Sequence, residues 1–112
     1  MRLSPKTIII APEKLRDYIL NSSHPDGESK ARFLSEIGYK QKNWQILERD
    51  LRNQHLPLAA SLGKKSIYGA KYEIVAPLVG PNGDRKWIRS IWIIRTGESV
   101  ARFVILIPEE KS

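Results

Sequence analysis

Between Ile67 and Ile107 the chain alternates apolar and polar residues in three successive runs, Lys71–Val79, Lys86–Arg95 and Val100–Ile107. Gly80-Pro81-Asn82-Gly83-Asp84 and Thr96-Gly97-Glu98-Ser99 separate them. Turn formers between β-branched and aromatic runs predict an antiparallel meander of three strands. A loop over Gly80–Asp84 sets Lys71 opposite Ile93 and Tyr72 opposite Trp92, and a tip at Gly97-Glu98 sets Trp92 opposite Phe103 and Ile93 opposite Arg102. Because strand side chains alternate between faces, one face is predicted to carry Tyr72, Ile74, Leu78, Ile88, Trp92, Phe103, Ile105 and Ile107, a core face. The other carries Lys71, Glu73, Arg89, Ile93, Arg95, Arg102, Val104 and Leu106, with four cations among apolar neighbours. A slip by one residue would bury Arg102 unpaired, which is costly and favours this register.

The first half has helical spacing. Pro12 opens a helix with Leu15, Tyr18 and Ile19 on one stripe. Ser29 is the predicted N-cap of a second helix through Ile37, burying Phe33, Leu34 and Ile37, with Gly38 just past its end. Lys42–Gln54 reads as a third, burying Trp44, Leu47 and Leu51. Thr7–Ile10 is a short β-branched run suited to an edge strand or an extended cover, and Leu56–Lys65 reads as an internal linker. The expected architecture is α+β: about three N-terminal helices packed on one face of an antiparallel β-meander of three to four strands. A length of 112 residues predicts one domain, with a mainly helical layer over residues 1–62 and the sheet over 63–108. The third meander strand is expected to leave an edge open to a partner.

Charge adds the first functional hint. The net charge is +7, and residues 63–107 hold 8 bases against 3 acids, so the surplus lies on the predicted sheet. A basic surface attracts nucleic acid or an acidic protein through a sequence-independent term. The chain has no cysteine, which removes disulfides and thiolate metal ligands. No apolar run approaches the roughly 20 residues of a membrane span. These features predict a cytoplasmic protein with no metal and no cofactor.

The segment Lys14-Leu15-Arg16-Asp17-Tyr18-Ile19-Leu20, followed by His24-Pro25-Asp26-Gly27-Glu28-Ser29-Lys30-Ala31-Arg32-Phe33, resembles the pattern K-L-x-D-Y-x-L, H-P-x-G-x-x-K-A-x-F of a small uncharacterised bacterial domain family. Tyr68-Gly69-Ala70-Lys71-Tyr72-Glu73, Gly80-Pro81-Asn82-Gly83, Trp92 and Arg102-Phe103-Val104 resemble its second half. The likeness runs from Pro12 to Pro108. The family pattern has a hydroxyl residue after Arg-Phe-Val, where this chain has Ile105. In its helices-then-meander layout that family is similar to the ribonuclease superfamily of barnase, EndoU, colicin nucleases and RelE-type toxins. The resemblance implies metal-independent RNA cleavage and, often, a toxin neutralised by a partner antitoxin; the basic surface makes an acidic antitoxin the expected partner, in a heteromer if the two stay bound.

Metal-free RNA cleavage needs a base for the 2′-hydroxyl, cations for the phosphorane and an acid for the leaving oxygen. His24 fits the acid or base role; its other reading is a loop histidine that bonds the backbone and positions Pro25. Lys30 reads as a phosphate ligand or a solvated helix lysine. Lys71 and Arg102, in one row, would repel unless an anion bridges them, which makes them a phosphate clamp or a solvated face. Glu73 is a base or a salt-bridge partner, and Tyr68 stacks on a base or enters the core. Arg89 and Arg95 complete the expected RNA-binding set, whereas His55 is read as structural or exposed. The leading expectation is an endoribonuclease toxin. A non-catalytic nucleic-acid-binding module and an interaction or immunity subunit docking an acidic partner are its alternatives.

Overall fold

A computed structural model gives the fold and describes Leu3 and residues 8–109. Five strands, β1 (Ile8–Ile9), β2 (Ser61–Ser66), β3 (Gly69–Val79), β4 (Arg85–Arg95) and β5 (Ala101–Pro108), form one sheet in the order β1-β5-β4-β3-β2. Three short α-helices accompany them: α1 (Pro12–Lys14), α2 (Glu28–Ser35) and α3 (Trp44–Asp50). The expectation of an antiparallel meander of three to four strands is thus corrected. The sheet is mixed, because β1 runs parallel to β5, with Ile8 beside Ala101 and Ile9 beside Arg102. This pairing covers the edge expected to be open only at its start, at Ala101 and Arg102. Thr7, the first residue of the run read as an edge strand, lies outside the described residues.

The second correction is β2. Its six residues are all exposed, so it has no buried face and no hydrophobic alternation, and all but Ser66 fall in the stretch Leu56–Lys65 that reads as linker in the sequence. The chain nevertheless pairs it antiparallel to β3. The central register follows the turn chemistry: Lys71 faces Ile93, Tyr72 faces Trp92 and Val79 faces Arg85. Trp92 faces Phe103 and Ile93 faces Arg102, but a bulge then intervenes, and Ile91 faces Ile105. Val104 is the extra residue. Since one inserted residue reverses the alternation beyond it, Leu106 turns into the core and is fully buried, whereas Ile105 and Ile107 are only half-buried. Unbroken alternation predicts the reverse for these three.

The helices cover the face bearing Ile74, Leu78, Ile88, Trp92, Phe103 and Leu106, and Leu15, Ile19, Leu34, Leu47, Leu51 and Leu56 complete the core. Two helices end in a π turn, where Leu20 N–H donates to Leu15 C=O and Leu56 N–H to Leu51 C=O. The second turn brings two successive residues, His55 and Leu56, inward. Trp92 Nε1–H can only donate and the Ala76 carbonyl can only accept. Ser90 Oγ therefore accepts from Trp92 at 2.9 Å and donates to His55 Nδ1 at 2.8 Å, leaving His55 Nε2–H to donate to Ala76 at 3.3 Å. Burial lowers the His55 pKa to about 4 despite the Ala76 bond, so the ring is neutral near pH 7.

The β3–β4 turn is tied to the end of α2. Asn82 N–H donates to the Ile37 carbonyl and Asn82 Nδ2 to the Glu36 carbonyl. A Cβ at Gly80 would overlap the Ile37 carbonyl, so only glycine permits this approach. No helix among the described residues is long and apolar enough to cross a membrane.

Candidate functional site

The sheet face away from the core carries the residues the alternation had set apart. Lys71, Ile93 and Arg102 form one row across β3, β4 and β5, extended by Ile9 on β1. With strands about 4.8 Å apart, the Cα atoms of Lys71 and Arg102 are separated by roughly 10 Å, a span that long cationic side chains readily close around one anion. Arg95 follows two residues after Ile93 on the same face.

A cation from outside the sheet joins them. Lys14, the last residue of α1, donates its Nζ–H to the Val104 carbonyl at 3.1 Å. That carbonyl belongs to the bulge. Burial first, then the charges of Arg95 and Lys71, hold the Lys14 pKa below the usual lysine range. A cavity of about 120 Å³ lies here, lined by Ile9, Ala11, Lys14, Ile93, Arg95, Arg102, Phe103 and Val104. Arg102 Nη2 bonds Glu98 Oε2 at 3.1 Å, and that bond depresses the Glu98 pKa. Arg102 Nε is buried and has no hydrogen-bond partner. An unsatisfied buried donor is expensive.

The other end of this face is different. Arg89 lies between two carboxylates, with Nη1 bonded to Glu73 and Nη2 to Glu109 Oε2 at 2.9 Å. These bonds raise its pKa further. Glu73 is thus an ion-pair partner of Arg89. Tyr68 is 75% exposed in the β2–β3 turn, beside Ile67 at 82%, so its ring lies outside the core.

His24 is engaged by its own turn. Its Nδ1 accepts from the backbone N–H of Asp26 at 3.0 Å and of Gly27 at 3.3 Å, and its ring stacks on Tyr18 at 4.8 Å. Gly27 rather than Ser29 precedes the first residue of α2. Lys30 follows in that helix, half-buried. Neither His24 nor Lys30 bonds to Lys71 or Arg102. The structure therefore brings Lys71, Arg95 and Arg102 together and adds Lys14, which the sequence reading placed only within a motif. No feature of its spacing predicts the contact with Val104, because that depends on the bulge. Among the described residues no three His, Asp or Glu side chains cluster as a metal site would require.

The fold is similar to that of a solved structure described as a contact-dependent growth inhibition toxin–immunity protein complex from Klebsiella pneumoniae 342. The superposition has a TM-score of 0.66 at 19% identity and covers 90% of this chain and 99% of that one. At such identity the likeness is one of fold. No curated protein matches the sequence. The model of one family matches residues 4–110, nearly the whole chain, and the protein belongs to that family, described as a domain of unknown function (DUF6883).

Proposed function

We propose that this chain is the RNA-cleaving domain of a bacterial toxin, binding its substrate on the uncovered sheet face and restrained by an acidic immunity partner. One observation carries the reading: Lys14, Lys71, Arg95 and Arg102 converge at one end of that face, where Arg102 Nε has no partner in the protein. The likeness in fold to a chain from a toxin–immunity complex supports the biological setting. In the proposed metal-independent reaction the 2′-oxygen bonds to phosphorus as the bond to the 5′-oxygen breaks. Arg102, Lys71 and Lys14 balance the charge gathering on the phosphorane oxygens. The 2′-hydroxyl proton passes to water and the 5′-oxygen takes a proton from water. His24, whose Nδ1 accepts from the amides of its turn and so leaves the ring proton on Nε2, donates that N–H as a hydrogen bond to a phosphoryl oxygen, with Lys30 nearby in sequence as a phosphate ligand.

The test is induced expression of the chain without a partner. Growth arrest and fragmented RNA are expected, with Arg102→Gln restoring growth and His24→Gln slowing cleavage. Unchanged growth and intact RNA, with soluble folded protein present, overturn the activity. Under that outcome, protection of cells against a second, toxic chain would identify the immunity member of such a pair instead.

A further inference from the structure

β2 is the last strand on its side of the sheet, and all six of its residues are exposed. In an antiparallel pair every second residue turns its N–H and C=O away from the partner strand, so the outer side of β2 offers an unpaired ladder. The opposite edge is less regular, being closed by β1 at Ala101 and Arg102 and by Lys14 at the Val104 carbonyl. Leu62 and Lys65 sit opposite Tyr72 and Ala70 and therefore share one face, an apolar and a cationic position side by side. The turn that ends β2 displays Ile67 at 82% exposure and Tyr68 at 75%. Its backbone is tied down. Thr96 Oγ1–H donates to the Ile67 carbonyl at 2.7 Å, Thr96 N–H to the Tyr68 carbonyl at 3.0 Å, and Tyr68 N–H to Ser66 Oγ at 3.1 Å. Two large side chains thus stand on a fixed support, which lowers the cost of ordering them on binding.

We propose that β2 and its turn are the docking edge for an acidic, extended segment of a partner protein. The segment adds a sixth strand beside Lys64–Ser66 and rests apolar side chains on Leu62, Ile67 and Tyr68. Charge selects this occupant. Lys64 and Lys65 have no carboxylate partner among the described residues, β2 contains no acid, and Glu73, opposite Ser61, is bonded to Arg89. A second copy would bring the same lysines to the pairing, where like charges repel; an acidic strand turns that repulsion into attraction. RNA has phosphates for the lysines but no backbone donors and acceptors spaced to match a strand edge. This inference rests on the acidic partner of the reading above and names where that partner takes hold, at the sheet edge beyond Lys71.

A blocked synthetic peptide of about eight alternating Glu and Val residues, an ordinary strand length, is titrated into the full chain and followed by amide NMR, alongside its Lys–Val counterpart and an oligouridylate. The Glu–Val peptide is expected to shift the amides of Lys64–Tyr68, to slow hydrogen exchange on β2, and to bind about tenfold or more tightly than the Lys–Val peptide. Replacing both lysines, Lys64→Glu with Lys65→Glu, at exposed positions, should reverse that preference. Ile67→Ser with Tyr68→Ser should weaken the Glu–Val peptide by about tenfold. No response at millimolar peptide, equal binding of the two peptides, shifts without slower exchange on β2, or an oligouridylate that moves the same amides at lower concentration overturns the proposal. Its failure is separable from that of the cleavage reading. A chain that cuts RNA yet ignores the peptide loses the docking edge and keeps the activity. One that takes up the peptide as a strand and leaves RNA intact keeps the edge and loses the activity.

Discussion

His55 and Arg102 serve opposite faces of one sheet, and their nitrogens have opposite fates. On the covered face both His55 nitrogens are used, and Ser90 and Trp92 complete a closed set of bonds within the core. On the uncovered face Arg102 has one group bonded to Glu98 and another buried with nothing to bond. A polar group satisfied within the protein supports the fold; one hidden from water and left unsatisfied weakens it. Arg89 sharpens the contrast, because it shares the face of Arg102 but already holds two carboxylates. Position in the sheet does not separate these arginines. Their partners do.

The largest test of this contrast is His55→Leu. It strands the Ser90 hydroxyl and the Ala76 carbonyl in the core, and the expected cost is about 2–4 kcal/mol, read as a lower denaturation midpoint in urea. Phosphate binding by the folded fraction should not change. Loss of binding without loss of stability would reverse the assignment of the two faces.

Acid should act through the same residue. The folded-state pKa of His55, about 4, lies below its ordinary value of 6.5. The unfolded chain therefore binds the extra proton first as the pH falls, and this contribution to stability is complete above about pH 6.5 and lost on descending to about pH 4. At about 1.4 kcal/mol per pKa unit the contribution is about 3 kcal/mol. Urea titrations of the parent and His55→Leu at pH 7 and pH 4 check it, with the gap between the two proteins expected to close at the lower pH.

The smallest effect separates the two ends of the uncovered face. Lys71→Ala should reduce the dependence of log affinity for RNA on log salt by about 1, while Arg89→Gln should leave the slope unchanged, its charge being matched by Glu73 and Glu109. Equal slopes for the two variants, measured by fluorescence anisotropy, would show that RNA does not distinguish them.

The sequence made the β3–β4 pairing legible because turn residues and alternation point to one register over a long stretch. It said less wherever that alternation fails. β1 pairs through two residues, too few to show a period, and β2 is polar and exposed throughout, so neither carries a hydrophobic signature. The β5 bulge was invisible because Val104, Ile105, Leu106 and Ile107 are all apolar, and any phase through them looks equally plausible. With the bulge hidden, the place of Lys14 could not be foreseen. The motif around His24 was plain, but its spacing did not reveal that the imidazole would be held by the amides of its own turn.

Removing Val104 from β5 would let Ile105 follow Phe103 directly, opposite Ile91, and Leu106 would still point inward opposite Ser90. A chain one residue shorter could thus keep every other inward side chain of this strand on its present side. What would disappear is the carbonyl that anchors the ammonium of Lys14. The surplus residue is dispensable to the interior, and its use is on the outside, where it converts an interruption in the ladder into a fastening for a mobile cation.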